Sequence, residues 1–119
     1  MVPEGRISWA DLGLYDDACE AAFAQALASV RRWSSMPVGV QLAHAGRKAS
    51  THRPWEQGGA AIAPGTAHGW QTVAPTALPY VETDPLPEAL DAAGIARVVQ
   101  AFAQAARRAT RLGLDAIEI

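Results

Sequence analysis

A glutamine set in an apolar run, Val38-Gly39-Val40-Gln41-Leu42-Ala43-His44, is the most informative chemical feature of this sequence. If the run is a strand, its side chains alternate between faces. Val38, Val40 and Leu42 then share one face, while Gly39, Gln41 and Ala43 share the other. A carboxamide has up to four hydrogen-bonding positions, and each left unpaired in an apolar interior costs on the order of 1–3 kcal/mol. Two readings stay open. Gln41 is satisfied by nearby backbone or water, or it addresses a polar ligand at the carboxyl end of a strand, where α/β proteins build their sites. His44-Ala45-Gly46-Arg47-Lys48 brings an imidazole, a flexible glycine and two cations to the same end. Such a turn could hold an anion or an oxidised ring; a solvated basic turn is the simpler reading and the one favoured.

Other chemistries find less support. His44, His52, His68 and Cys19 lack CxxC or HExxH spacing, and Cys19 falls within a helical stripe, so no metal site is expected. Gly58-Gly59 follows no strand and opens no helix, which argues against a dinucleotide fingerprint or P-loop. No Ser-His-acid or paired-carboxylate arrangement stands out, and Asp16-Asp17 reads as helix capping. No catalytic residue is assigned.

The elements that must position Gln41 follow from pattern. Residues 1–15, with Pro3, Gly5 and Gly13, read as loop. From about Asp16 the pattern is helical: Asp17 and Glu20 have capping-box spacing, and Cys19, Phe23, Leu27 and Val30 form one apolar stripe. Ser34, Ser35 and Pro37 end it. Residues 38–44 then read as a buried parallel strand. Residues 45–90 hold six prolines and show no period, yet Trp55, Ile62, Trp70 and Tyr80 argue for an ordered loop that packs over something. A second helix starts near Asp91, with Ile95, Val98, Val99, Phe102, Ala106 and Ala109 on its apolar face and Gly113 at its close. Residues 114–119 read as another buried strand.

Composition bounds the rest. The chain has 119 residues, half of them hydrophobic, with ten Lys+Arg against twelve Asp+Glu and a net charge of −2, which excludes a basic nucleic-acid surface. No apolar run approaches the ~18–20 residues of a membrane span. A single cysteine forms no internal disulfide, and residues 1–6 lack a secretory layout, so a cytoplasmic location is expected. Much of the apolar half is alanine, which makes for a thin core. Two parallel strands and two helices cannot cover both faces of a sheet, so the expected fold is a piece of something larger.

Val40-Gln41-Leu42-Ala43-His44-Ala45-Gly46-Arg47-Lys48 resembles the strand-and-turn signature of the Old Yellow Enzyme family, in particular its xenobiotic-reductase and NADPH-dehydrogenase-like subgroup. Pro3-Glu4-Gly5-Arg6-Ile7-Ser8, Arg53-Pro54-Trp55, Gly69 through Pro79, and Ile117-Glu118-Ile119 extend the likeness along nearly the whole chain. The resemblance implies an α/β fold: a partial (β/α)8 TIM barrel of about two β/α units. These are the second helix, third strand, long loop, third helix and fourth strand. Residues 1–119 would be a fragment of a single FMN-binding barrel domain, and residues 45–90 its long active-site-face loop. It implies FMN and NAD(P)H as cofactors of the complete enzyme, which reduces activated alkenes, and Gln41 as the residue that bonds the polar edge of the flavin. His44 and Arg47 would help hold the loop, without assigned roles.

In the family, the Ile-Glu-Ile strand is followed by a His and a second His or Asn that bind the substrate carbonyl, and then by a proton-donating Tyr. Most flavin contacts also lie outside residues 1–119. The expectation is therefore that the chain alone is inactive and that its partners are those of the whole enzyme. These are a small-molecule alkene and further copies of itself in a homo-oligomer, with no nucleic acid and no membrane. The alternative is a non-enzymatic α/β piece that only associates through its open strand edges.

Overall fold

A computed structural model describes residues 2–119; Met1, the first residue of the expected opening loop, lies outside the described residues. Helix α1 (Asp17–Arg31) starts where extended Asp16 accepts a hydrogen bond from the Cys19 N–H at 2.7 Å. The capping box expected of Asp17 and Glu20 does not form. Glu20 is drawn instead to the Arg111 guanidinium, which donates to both of its oxygens at 2.7 and 2.8 Å. Along α1 Leu27 is buried and Phe23 packs against the core, while Val30, in the last turn, is exposed.

Strand β1 (Gly39–Gln41) is shorter than the expected 38–44. Within the 45–90 loop lie two 3-10 turns, Gly46–Lys48 and Gln57–Gly59, and two short strands, β2 (Val73–Ala74) and β3 (Glu88–Ala89), paired in parallel. Strands of two residues are too brief to leave a period in sequence. The loop is ordered by its own interior: Ala49, Ser50, Ile62, Thr72, Val73 and Ala74 are all buried. Isolated bridges join Ser8 to Thr51 and Thr51 to Ala61, so the opening segment is woven into the loop.

Helix α2 (Ala92–Arg111) is capped as expected, with the Asp91 carboxylate accepting from the Gly94 N–H at 2.7 Å. Gly113 adopts φ +66°, the left-handed conformation that closes a helix at little cost only for glycine. The packed line of α2 runs through Phe102, Ala105, Ala106 and Ala109. Ile95 and Val99, expected on that face, are 53 % and 63 % exposed, because the sheet beneath does not extend to the first turns of the helix.

Strand β4 (Ala116–Glu118) pairs with β1 in parallel, setting Gly39 beside Ala116, Val40 beside Ile117 and Gln41 beside Glu118. The Leu42 N–H to Glu118 carbonyl bond (2.9 Å) and the Asp115 N–H to Val38 carbonyl bond (2.8 Å) carry the ladder one step further at each end. Leu14, Leu42, Ala105 and Ala109 form the core, with Val40, Phe23, Phe102 and Leu114 packed against it. Both helices therefore cover the same face of the β1–β4 pair. The other face, bearing Gly39, Gln41, Ala116 and Glu118, is exposed. The expectation of two buried strands is thus corrected: β1 is covered on one side only, and all three residues of β4 are exposed. The Cα radius of gyration, 15.7 Å, exceeds the roughly 13.5 Å of a compact domain of this length, as a one-sided sheet would give.

Ion pairs join α1 and α2 at the surface, Arg108 to Asp17 at 2.9 Å and Arg111 to Glu20 at 2.7 Å. Among the described residues, no helix is long and apolar enough to cross a membrane.

Candidate functional site

Alternation along β1 decides where Gln41 goes. Val40 and Leu42 turn toward the helices, so Gln41 turns to the open face. The reading of its amide as buried in an apolar interior is corrected here, since Gln41 is exposed. It lines an open cleft of about 360 Å³ at the carboxyl end of the β1–β4 pair, with Leu42, His44, Phe102 and Glu118. The parallel register sets Glu118 directly beside Gln41 on the same face. Sequence reasoning missed Glu118, although a signal was present: Leu114 through Ile119 carries one acid in an apolar strand just as residues 38–44 carry one amide.

His44 stands where β1 ends. Its Nδ1 accepts from the Gly46 N–H at 3.0 Å, which fixes the turn that follows. The ring lies against Gly5 so closely that a Cβ there would meet its Cδ2 at 2.8 Å. The Ala45 N–H donates to the Gly5 carbonyl at 2.9 Å, so the opening segment is clamped to the strand end on both sides of the imidazole. Burial pushes the His44 pKa below its ordinary 6.5; the Glu4 carboxylate opposes that shift, and Arg97 adds to it. Nε2 is buried without a hydrogen-bond partner among the described residues. His44 thus packs between the strand end and the opening segment, with burial disfavouring its charged form.

The remaining candidates lie apart. Arg47 donates to Thr76 Oγ1 at 2.9 Å, and Lys48 Nζ sits 4.2 Å from the centroid of the Tyr80 ring, so both cations of the turn are tied to the far arm of the loop. That gives the turn more order than a solvated one. His68 stacks on Trp9 at 4.4 Å, and His52 lines the cleft beside them, away from His44. Cys19 is partly buried rather than fully so.

Gln41 thus presents a donor and an acceptor together on an open strand face. That pairing suits the edge of a heteroaromatic ring carrying both kinds of group. Among the described residues, no Lys or Arg lines this cleft to receive a phosphate.

The profile of the NADH:flavin oxidoreductase / NADH oxidase family matches residues 1–119. The chain belongs to this family. It is also known as the Old Yellow Enzyme family, as the motif resemblance implied. The NADPH dehydrogenase of Geobacillus thermodenitrificans is 37 % identical over 119 residues, all of this chain and 30 % of the relative. That of Bacillus subtilis is 35 % identical over 117 residues, 98 % of this chain and 29 % of the relative. Among solved structures, morphinone reductase superposes with a TM-score of 0.70 at 27 % identity, over 98 % of this chain and 32 % of that one. The chain therefore spans about 30 % of the length of the curated relatives it matches. Its parallel strands and flanking helices are part of a TIM barrel, as expected. In a closed barrel, the uncovered face of β1 and β4 is the one that turns toward the axis.

Proposed function

We propose that this chain supplies two β/α units of an FMN-dependent NAD(P)H oxidoreductase that reduces activated alkenes, and that Gln41 holds the polar edge of the flavin. One observation carries the reading: an amide free of protein hydrogen bonds among the described residues stands on the axis-facing side, at the carboxyl end of a parallel strand. FMN supplies the hydride chemistry when bound, and this segment's part is to orient the ring. The 45–90 loop lies on the active-site face, tied to the strand end through Arg47 and Lys48. With one amide toward the ring and, among the described residues, no Lys or Arg lining the cleft for its phosphate, the chain by itself holds FMN weakly and does not turn over NAD(P)H.

The test is to graft these residues into the matching stretch of a full-length relative and titrate the purified apoprotein with FMN. Gln41→Leu removes both hydrogen-bonding ends at similar volume and should weaken FMN about tenfold, the worth of one to two neutral bonds. An unchanged affinity would refute the assignment.

A second reading has its own support. The β1–β4 pair leaves both edges and one face open, which favours pairing with further copies of the chain. Size-exclusion chromatography with light scattering distinguishes it: a concentration-dependent oligomer that takes up no flavin supports association alone.

A further inference from the structure

A cavity of about 540 Å³ opens between the long loop and the opening segment and shares no lining residue with the cleft at Gln41. Its volume lies in the range of about 300–1,000 Å³ usual for small-molecule pockets. The walls are mostly apolar, formed by Ile7, Ala49, Pro54, Ala60, Ala61 and Val81. Most polar groups around it are already engaged. The Thr51 N–H donates to the Ile7 carbonyl at 3.0 Å and the His52 N–H to the Ala60 carbonyl at 2.9 Å. The Thr51 hydroxyl donates to the same Ile7 carbonyl at 3.1 Å. The Asp11 carboxylate accepts from the Ile7 N–H, the Ser8 N–H and the Ser8 hydroxyl.

Charged tips remain. Arg47 and Lys48 line the cavity, one anchored on Thr76 and the other over Tyr80. Neither has a carboxylate at ion-pair distance among the described residues, whereas Arg31, Arg53, Arg97, Arg108 and Arg111 each do. With Asp11 consumed by its three donors, Asp84 is the one acid of the lining whose carboxylate has no hydrogen-bond or ion-pair partner among the described residues, against two cations. A pair of pre-positioned cations beside an apolar chamber suits one kind of guest.

We infer that this cavity binds a small ring compound bearing a single carboxylate, with the ring against the apolar wall and the carboxylate on Lys48 and Arg47. Charge-assisted hydrogen bonds of this kind are roughly twice as strong as neutral ones, so the charge should dominate selectivity. The inference stands apart from the flavin reading.

Its test is a titration of the ¹⁵N-labelled chain, followed by amide chemical shifts, with three probes. Benzoate has ring and charge, benzamide the ring alone, and acetate the charge alone. Saturable shifts at Ala49, Thr51, Ala60 and Ala61 are expected with benzoate, at an affinity about tenfold above either other probe. Lys48→Gln should bring benzoate down to the benzamide level, Lys48→Arg should retain the preference, and Arg107→Gln, on exposed α2, should change nothing. Equal affinities for benzoate and benzamide, an unchanged Lys48→Gln variant, or shifts confined to Gln41, Leu42 and Phe102 would each overturn the inference.

Discussion

Ser50 joins three arms of the long loop through one buried hydroxyl, and its removal has a calculable effect. The residue is 2 % exposed, with φ +60°. Its Oγ donates to the Ile62 carbonyl at 2.9 Å and accepts from the Trp70 N–H at 3.0 Å. The Ser50 carbonyl in turn accepts from the Ile62 N–H at 2.6 Å. Ser50→Ala leaves one buried carbonyl and one part-buried N–H without partners, at roughly 1–3 kcal/mol each, so a loss of about 2–6 kcal/mol is expected. Ser50→Gly loses the same bonds but relieves a left-handed backbone worth roughly 1–2 kcal/mol, partly offset by about 0.5–1 kcal/mol of added unfolded-chain entropy. Glycine should therefore be the milder change. Urea unfolding followed by tryptophan fluorescence gives the stabilities, and near-ultraviolet circular dichroism reports Trp70, whose indole N–H also donates to the Glu4 carbonyl at 2.9 Å. A Ser50→Ala variant within about 0.5 kcal/mol of wild type, or a glycine variant worse than alanine, would refute the reasoning.

Leu42→Ala, at a position 2 % exposed in the core, should cost about 2–5 kcal/mol in the same denaturation experiment. Asp91→Ala removes the α2 cap on Gly94 and should cost about 0.5–2 kcal/mol, with Asp91→Asn nearly neutral. His44 makes stability fall in acid. Its folded pKa lies below 6.5, so the unfolded chain binds more protons in the window beneath that value. His44's share of the stability should be complete above about 6.5 and decline as pH drops through the folded pKa; a His44→Leu variant whose midpoint keeps the same pH slope would contradict this.

The two helices were legible because their signals are local. Asp91 before an apolar-periodic run and Gly113 after it mark α2 within a residue or two, and the stripe from Cys19 to Leu27 marks α1. The cap of α1 was misplaced by one residue, from Asp16 to Asp17. Glu20 had a distant partner, Arg111, 91 positions away, that no local pattern could show. The interior of the long loop was legible only as order, through its aromatics. Its bonds run from Ser50 to Ile62 and Trp70 and from Arg47 to Thr76, pairs chosen by folding rather than by spacing. Strand burial was misjudged for a related reason. Val38, Val40 and Leu42 on one face of residues 38–44, with small Gly39 and Ala43 beside Gln41 on the other, indicate what a strand is built to meet, whereas exposure depends on what is there to meet it.

That distinction bears on Gln41 itself. A buried amide would carry a desolvation cost, but Gln41 is exposed, so that cost is absent here. What persists is direction. The helix-facing side of β1 is fixed by Val40 and Leu42 against Phe23, Phe102 and Ala105, and a one-residue register slip would put Gln41 into that core. Apolar packing on one face thus sets the aim of the polar group on the other, independently of whether a ligand is present. Gly39 and Ala116, lying two pairs earlier in register, keep the same face low: a Cβ on Gly39 would already meet the Ala116 Cβ at 3.2 Å. Small residues at that pair and polar ones at the next on that face, Gln41 with Glu118, leave room over the axis side of the strands just where hydrogen-bonding groups begin. A flat ring with polar atoms along one edge fits such a step, and Gly39→Val should therefore weaken flavin binding in the grafted enzyme while leaving the Gln41 amide in place.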